Sequence, residues 1–184
     1  MSVLKAGSLL VLGIMIGAAL YAYAPKLYRT ADDEPPANHV VVSDRIHTSG
    51  QPTEAQLRGL KAAGYELVIN LAPPEVFGSI RQEGGLVAQT GLDYVNIPVD
   101  WHNPSYDDFE FFSEILKQST SKRVLVHCQV NKRASLFTFL YRAVHEGIEP
   151  DEAYENVAAV WVADPHWLEF ARTVLGKHKI NYEP

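Results

Sequence analysis

The chain has 184 residues, and 16 Lys and Arg against 22 Asp and Glu give it a formal net charge of −6 at pH 7. A negative chain without a basic stripe or a nucleic-acid motif argues against DNA or RNA as a partner. The part that follows the N-terminal segments, about 145 residues, suits one domain with one hydrophobic core.

An uncharged, apolar run opens the chain at residues 6–24. A helix of this length spans about 28 Å, close to the hydrocarbon thickness of a bilayer. The sequence Ala22-Tyr23-Ala24, with small residues at its two ends, resembles a signal cleavage site, but Pro25 follows it and is expected to hinder cleavage. We therefore interpret residues 1–29 as a membrane anchor, with a signal segment as the alternative, and expect a single-pass protein of a bacterial inner membrane. Flanking positive charge on both sides of the run leaves the membrane face open.

The composition then changes to an acidic, proline-containing linker at residues 30–38. We expect the folded domain to cover residues 39–178 and a short C-terminal tail to cover residues 179–184.

Hydrophobic periodicity within the domain predicts strands that alternate with helices. The predicted strands are residues 39–43, 66–71, 93–99 and 124–126. The predicted helices are residues 53–63, 75–90, 106–118, 134–146, 150–161 and 165–175. This alternation is typical of an α/β domain whose central, mainly parallel sheet is flanked by helices. Ligand sites of such sheets lie beyond the carboxyl ends of the strands.

The stretch RVLVHCQVNKRAS, residues 123–135, leads from a strand through the single cysteine of the chain into a polar turn and a helix. Such a loop can direct backbone N–H groups at one point, where the helix N-terminus adds its positive dipole end. An anion would bind there, and a Cys128 thiolate would be stabilised by Lys132 and Arg133. Position alone also allows Cys128 to be a small buried apolar residue.

This stretch resembles the phosphate-binding loop of the cysteine-dependent tyrosine and dual-specificity phosphatases. Their usual pattern is His-Cys, five residues, Arg, and then Ser or Thr. His127 and Cys128 match, Ser135 falls on the Ser or Thr, and Asn131 stands where the family usually has Gly. Asparagine tolerates the left-handed conformation that glycine supplies there.

The arginine departs from that pattern, because Arg133 comes one place early and Ala134 occupies the usual position. In a loop of full length the arginine would point about 100° away from the phosphate. In a loop shortened by one residue it would still bind the phosphate with its two-pronged guanidinium. We favour the shorter loop, because a bacterial branch of the superfamily has Cys, two residues, Gly, one residue and Arg. Rhodaneses share that spacing.

The resemblance extends along nearly the whole domain. The segment IHTSGQPTEAQLRGLKAAGYELVINLAPPE, residues 46–75, is similar to the opening of bacterial dual-specificity-like phosphatases. That group includes the phosphatase-like domain of β-lactamase-hydrolase-like proteins. HEGIEPDEAYENV, residues 145–157, resembles the helix pair that follows the loop. The resemblance therefore implies a cysteine phosphatase fold.

It also implies hydrolysis of a phosphomonoester through a phosphocysteine intermediate, with Cys128 as nucleophile and Arg133 on the phosphate. The loop residues expected around the phosphate are His127, Gln129, Val130, Asn131, Lys132 and Ser135. Asp100 follows a strand at the same sheet edge and is the candidate general acid, unless it only caps its own turn. No histidine spacing typical of metal ligands occurs, so we expect no metal or other cofactor. The expected partners are a phosphorylated protein or small phosphorylated molecule, and a membrane through residues 6–24.

Two other functions stay open at this point. A phosphate-binding pseudophosphatase would keep the anion site but lose turnover through the displaced arginine. A rhodanese-type sulfurtransferase would also use a cysteine in an anion-binding loop and would carry sulfur as a persulfide.

Overall fold

A five-stranded sheet in the order β1-β2-β5-β3-β4 runs through the computed structural model, which describes residues 34–184. The strands are β1 (Val40–Val41), β2 (Ile46–Ser49), β3 (Leu67–Asn70), β4 (Asp93–Asn96) and β5 (Val124–His127). The short β1 is antiparallel to β2, and all other neighbouring strands are parallel. The predicted α/β architecture with a mainly parallel sheet is therefore confirmed.

Helices cover both faces of this sheet, which is why β2, β3 and β5 are buried along their whole length. The helices are α1 (Glu54–Gly59), α2 (Glu83–Ala88), α3 (Tyr106–Gln118), α4 (Lys132–Tyr141), α5 (Pro150–Ala158) and α6 (Pro165–Lys177). Alternate strand residues point to opposite faces, so Val68 and Leu125 pack with α1 and α2. Ile69 and Val126 pack in the larger cluster with α3 to α6.

Most predicted elements lie within a few residues of their expected positions, although the helix expected over residues 53–63 ends at Gly59 and the strand expected over residues 93–99 ends at Asn96. Three further differences change an element. Residues 46–49, expected as an irregular lead, form β2. The helix predicted over residues 75–90 is reduced to α2, because Pro73-Pro74 precedes it and Gly78 adopts a φ of +84° within the segment. The helix predicted over residues 134–146 begins two residues earlier and ends in a π-helical turn, Arg142–Glu146.

The pairing register of the sheet places the carboxyl ends of β2, β3 and β5 side by side. Ser49 of β2 and Asn70 of β3 both lie opposite His127 of β5. The chain leaves all three strands at this carboxyl edge, where sheets of this class bind ligands. The loops that follow these residues build the candidate site described below.

The helices of the structure contradict the predicted single-pass membrane localisation. Within the described part of the chain, no helix is long and apolar enough to cross a membrane. Residues 6–24, on which that prediction rested, lie outside the described residues.

Candidate active site

Cys128 follows β5 directly and continues the hydrogen bonding of the sheet edge. Its backbone N–H donates to the Ser49 carbonyl at 3.2 Å, and the Leu71 N–H donates to the His127 carbonyl at 2.8 Å. These bonds on both sides fix the direction in which the chain leaves the strand. The cysteine side chain is almost wholly buried, yet it lines a cavity at this edge.

The turn after Cys128 closes through Asn131, which adopts the predicted left-handed conformation with a φ of +71°. The Asn131 side-chain amide donates to the Thr48 hydroxyl at 3.0 Å and to the Asn38 carbonyl at 2.6 Å. Asn38 belongs to the segment predicted as a linker, and its own amide donates to the Val130 carbonyl. The turn is thus anchored from both sides before α4 begins at Lys132.

The structure places Arg133 and Cys128 in the walls of the same cavity, and it buries Ala134 in the hydrophobic core. In the shorter loop, Arg133 is the residue expected to bind the anion. Arg133 is only 5% exposed, and within the described chain its Nε has no hydrogen-bond partner. A buried guanidinium nitrogen without a partner favours an anionic ligand.

The cavity has a volume of about 420 Å³. Its walls are formed by Val76, Trp101, His102, Cys128, Gln129, Val130, Lys132 and Arg133. No carboxylate side chain lines the cavity. Its two cationic residues, Lys132 and Arg133, take part in none of the ion pairs found among residues 34–184. The cavity is therefore electropositive and large enough for a phosphate with part of the group that carries it.

Tryptophan rings hold the two cations in place of acidic partners. The Arg133 guanidinium carbon lies 5.5 Å from the Trp101 ring centroid. The Lys132 ammonium lies 5.6 Å from the Trp101 ring centroid and 4.9 Å from that of Trp161. Contact with an aromatic face stabilises a cation without neutralising it, so both charges remain available to a ligand.

Four predicted site residues lie outside the cavity walls, namely Asp100, His127, Asn131 and Ser135. Asp100 is exposed, and its carboxylate accepts a hydrogen bond from the His102 N–H at 2.8 Å, so it does cap its own turn. The two residues that follow it are wall residues, which places Asp100 at the rim of the cavity. Ser135 is fully buried, and its hydroxyl donates to the Lys132 carbonyl at 3.1 Å.

Gly50, in the SGQP opening, packs directly against the cysteine loop. A Cβ at this position would lie 3.0 Å from the Ala37 carbonyl oxygen, 3.2 Å from that of Gln129 and 3.3 Å from the Val130 Cα. All three are backbone atoms, which cannot rotate away as a side chain could. The glycine therefore allows three segments of chain to meet under the cavity.

We expect Gly50→Ala to lower the free energy of unfolding by about 1–3 kcal/mol, because the added methyl group displaces the loop backbone. Urea unfolding followed by far-UV circular dichroism measures this change. Gly59→Ala is the matched control, since a Cβ there meets no atom within 4 Å. It should be neutral or stabilise the protein by up to about 1 kcal/mol. Equal midpoints for the two variants would contradict the packing argument.

Sequence reasoning missed a buried carboxylate that contacts the histidine before the cysteine. Glu83, at the start of α2, is 4% exposed, and its Oε1 lies 2.9 Å from the His127 Nε2. The Gln51 amide donates to its Oε2 at 2.6 Å, and the Asn70 amide donates to its Oε1 at 3.3 Å. One part of this network could be read from the sequence, because Gln51, the glutamine of the SGQP motif, supplies one of these donors.

Comparison with known proteins gives similarities over the same region. Residues 27–164 match the family model described as DSP-PTPase phosphatase fused to NAD+ kinase. A putative phosphatase (DUF442) from Shewanella putrefaciens CN-32 has 37% identity and a TM-score of 0.72, covering 77% of this chain and 91% of that one. The core catalytic domain of the PP-IP phosphatase SIW14 from S. cerevisiae shares the fold at 16% identity, with a TM-score of 0.63, covering 79% and 95%.

A β-lactamase hydrolase-like protein from Xylella fastidiosa is 27% identical over 117 residues, which cover 61% of this chain. The match spans 27% of the length of that relative. The similarity to this group, predicted from residues 46–75, is therefore confirmed for the shared region.

Proposed function

This chain belongs to the family described as DSP-PTPase phosphatase fused to NAD+ kinase, and we propose that it hydrolyses phosphomonoesters through a phosphocysteine intermediate. One observation carries the proposal. Cys128 and an arginine with no acidic partner among residues 34–184 line one electropositive cavity beside the N-terminus of α4. A nucleophile and an anion-binding group are thereby brought to the same place.

In the first step, the Cys128 thiolate attacks phosphorus. A bond forms between Sγ and phosphorus while the bond from phosphorus to the leaving oxygen breaks, and Asp100 gives its proton to that oxygen. Backbone N–H groups of residues 129–133 and the Arg133 guanidinium bind the three equatorial oxygens. These donors stabilise the charge that the transition state spreads over the phosphoryl group.

In the second step, water attacks the phosphocysteine. Asp100, now ionised, takes a proton from the water as its oxygen bonds to phosphorus. The bond from phosphorus to Sγ breaks, and the thiolate and inorganic phosphate are released. No redox partner or additional reactant is required.

The cavity walls indicate the class of substrate. Next to its cations the cavity presents the apolar side chains of Val76, Trp101 and Val130. A phosphate carried on an apolar or aromatic group would fill it better than free phosphate alone. A phosphorylated protein or a small phosphorylated molecule meets this requirement.

A phosphate-binding protein without turnover is the second candidate. The observation that favours it is the position of Asp100, whose carboxylate bonds to its own turn and does not line the cavity. Catalytic hydrogen bonds often form only when substrate is bound, so this geometry is compatible with either function.

The deciding experiment is hydrolysis of para-nitrophenyl phosphate by the full chain in buffer containing EDTA. Cys128 is the only cysteine in the sequence, so one equivalent of iodoacetamide labels a single position. We expect hydrolysis that stops when labelling is complete, and phosphate should slow the labelling. Protection by phosphate without hydrolysis would support the binding protein, and thiocyanate formation from thiosulfate and cyanide would support a sulfurtransferase.

Asp100→Asn is expected to lower kcat/KM by about 10²-fold for phenyl phosphate, because kcat/KM reports the first step, in which the leaving oxygen needs a proton. The decrease should be smaller for para-nitrophenyl phosphate, because nitrophenolate departs without one. Steady-state kinetics with both esters measure the difference. Asp107→Asn is the matched control, since that carboxylate lies in the first turn of α3 and should not affect either rate. An equal decrease for both esters would rule out Asp100 as the general acid.

A further inference from the structure

We propose that Asn38 is a positioning residue for phosphate binding, because its side chain holds the Val130 carbonyl of the cysteine loop away from the bound anion. Asn38 lies in the segment predicted as a linker, before the first strand of the domain. This role rests on the proposed function, since it explains how the loop is kept in a form that accepts a phosphate. The two chemical steps do not use Asn38 directly.

Four consecutive carbonyl groups of the loop, those of residues 129–132, accept hydrogen bonds from donors that lie outside the cavity walls. The donors are, in order, the Gln51 N–H at 3.1 Å, the Asn38 side-chain amide at 3.1 Å, the Ser135 N–H at 2.9 Å and the Ser135 hydroxyl at 3.1 Å. The N–H groups of residues 129, 130, 132 and 133 have no backbone acceptor within residues 34–184. The loop thus has its acceptors occupied and keeps its donors for an anion.

The peptide group between Val130 and Asn131 is the one that the loop most needs to hold. Asn131 has a φ of +71°, in the left-handed region that residues with side chains rarely adopt. Reversal of this peptide group would return Asn131 to a negative φ and release the Val130 carbonyl oxygen beside the cavity that Val130 lines. A carbonyl oxygen there would repel a phosphate. The hydrogen bond from Asn38 stabilises the present orientation against this reversal.

Asn38 is itself fixed by the loop that it holds. It is the third residue of a four-residue turn, residues 36–39, in which the His39 N–H donates to the Pro36 carbonyl at 3.2 Å. Its φ of +52° is one that asparagine and glycine tolerate at that position of a turn. The Asn38 carbonyl accepts a hydrogen bond from the buried Asn131 side chain at 2.6 Å. Each of the two asparagines therefore uses its side-chain amide to hold the other's surroundings.

The test is Asn38→Gly in the full chain, which removes the amide donor and keeps the backbone. Glycine accepts the left-handed conformation, so the turn and the hydrogen bond to its backbone carbonyl are retained. Isothermal titration measures the dissociation constant of inorganic phosphate, and steady-state kinetics measure kcat/KM for para-nitrophenyl phosphate. We expect the dissociation constant to rise about tenfold and kcat/KM to fall at least as much, with little change in the thermal midpoint.

Lys179→Gly is the matched control. Lys179 also has a left-handed backbone, with a φ of +61°, and it lies in the C-terminal tail after α6. This variant should leave the affinity for phosphate and kcat/KM unchanged. A folded Asn38→Gly protein that binds phosphate as tightly as the parent would overturn the proposal and leave Asn38 with a structural role.

A second variant keeps the proposal testable if Asn38→Gly does not fold. Asn38→Asp keeps the shape of the side chain but places an acceptor oxygen opposite the Val130 carbonyl oxygen. It should weaken phosphate binding more than glycine does, even at about 0.5 M salt, where the charge of an exposed carboxylate is screened. A folded aspartate variant with the phosphate affinity of the parent would also overturn the proposal.

Phosphate binding needs no turnover, so the two proposals can fail separately. If these variants weaken phosphate binding in a chain that hydrolyses no phosphate ester, the proposed function is rejected and the role of Asn38 is retained. If the parent hydrolyses the ester and Asn38→Gly matches it in both phosphate affinity and kcat/KM, the reverse holds.

Discussion

Replacing Cys128 with serine is expected to abolish hydrolysis of para-nitrophenyl phosphate, with a decrease in kcat of at least about 10⁴-fold. A serine hydroxyl is a far weaker nucleophile at neutral pH than a cysteine thiolate. No second cysteine can replace Cys128 as the nucleophile, because the sequence contains only one cysteine. Initial rates of the parent and the variant at equal concentration measure the effect.

The same variant should still bind phosphate, because the loop backbone, Lys132 and Arg133 are unchanged. Isothermal titration with inorganic phosphate tests this, and thermal unfolding shows whether the variant keeps its fold. In rapidly quenched parent enzyme, mass spectrometry should find a phosphate adduct on the peptide that contains Cys128. Hydrolysis by the serine variant above about one hundredth of the parent rate would contradict a phosphocysteine mechanism, since that mechanism needs the thiolate.

The sequence predicted the fold well because each central strand is a buried apolar run and each long helix has a strong stop or start signal. Thr53 caps α1 through a capping box with Gln56, Ser105 caps α3, and Gly147 ends the helical run with a φ of +66°. Such signals act within a few residues and can be read locally.

The differences arose where tertiary contacts decided the structure. β2 contains His47, Thr48 and Ser49, which have no apolar alternation, and it is a strand because it pairs with β5 on one side and β1 on the other. In the crossover between β3 and β4, proline and glycine removed most of the predicted helix. Only the short α2 remained, with its carboxylate turned inward.

The cysteine loop could be predicted from the sequence because its residues are consecutive, whereas its supports could not. Trp101, Gln51 and Glu83 come from three other segments, and only the parallel register brings them to the edge next to His127. A glutamate is also an improbable core residue on composition alone, because carboxylates are rarely buried without a partner. Only the hydrogen bonds to His127, Gln51 and Asn70 make that position understandable.

The position of the arginine is the feature that decides between enzyme and binding protein. Arg133→Ala is expected to lower kcat/KM for para-nitrophenyl phosphate by about 10³-fold, because the guanidinium stabilises charge that develops in the transition state. The kcat/KM of Arg133→Lys should exceed that of Arg133→Ala by less than about tenfold, since an ammonium cannot bind two oxygens with parallel hydrogen bonds. Steady-state kinetics of the three proteins measure both changes.

The double variant Arg133→Ala, Ala134→Arg moves the guanidinium to the usual position of the family and tests the register of the loop. Ala134 is fully buried in the hydrophobic core, so an arginine there has no room and no acidic partner. We expect no recovery of kcat/KM and a loss of stability of several kcal/mol, because a charge would be buried unpaired. Recovery of activity would show that the loop has the full length and that Arg133 does not contact the phosphate. If activity does not recover, the result would support the shorter loop, in which Arg133 binds the substrate phosphate.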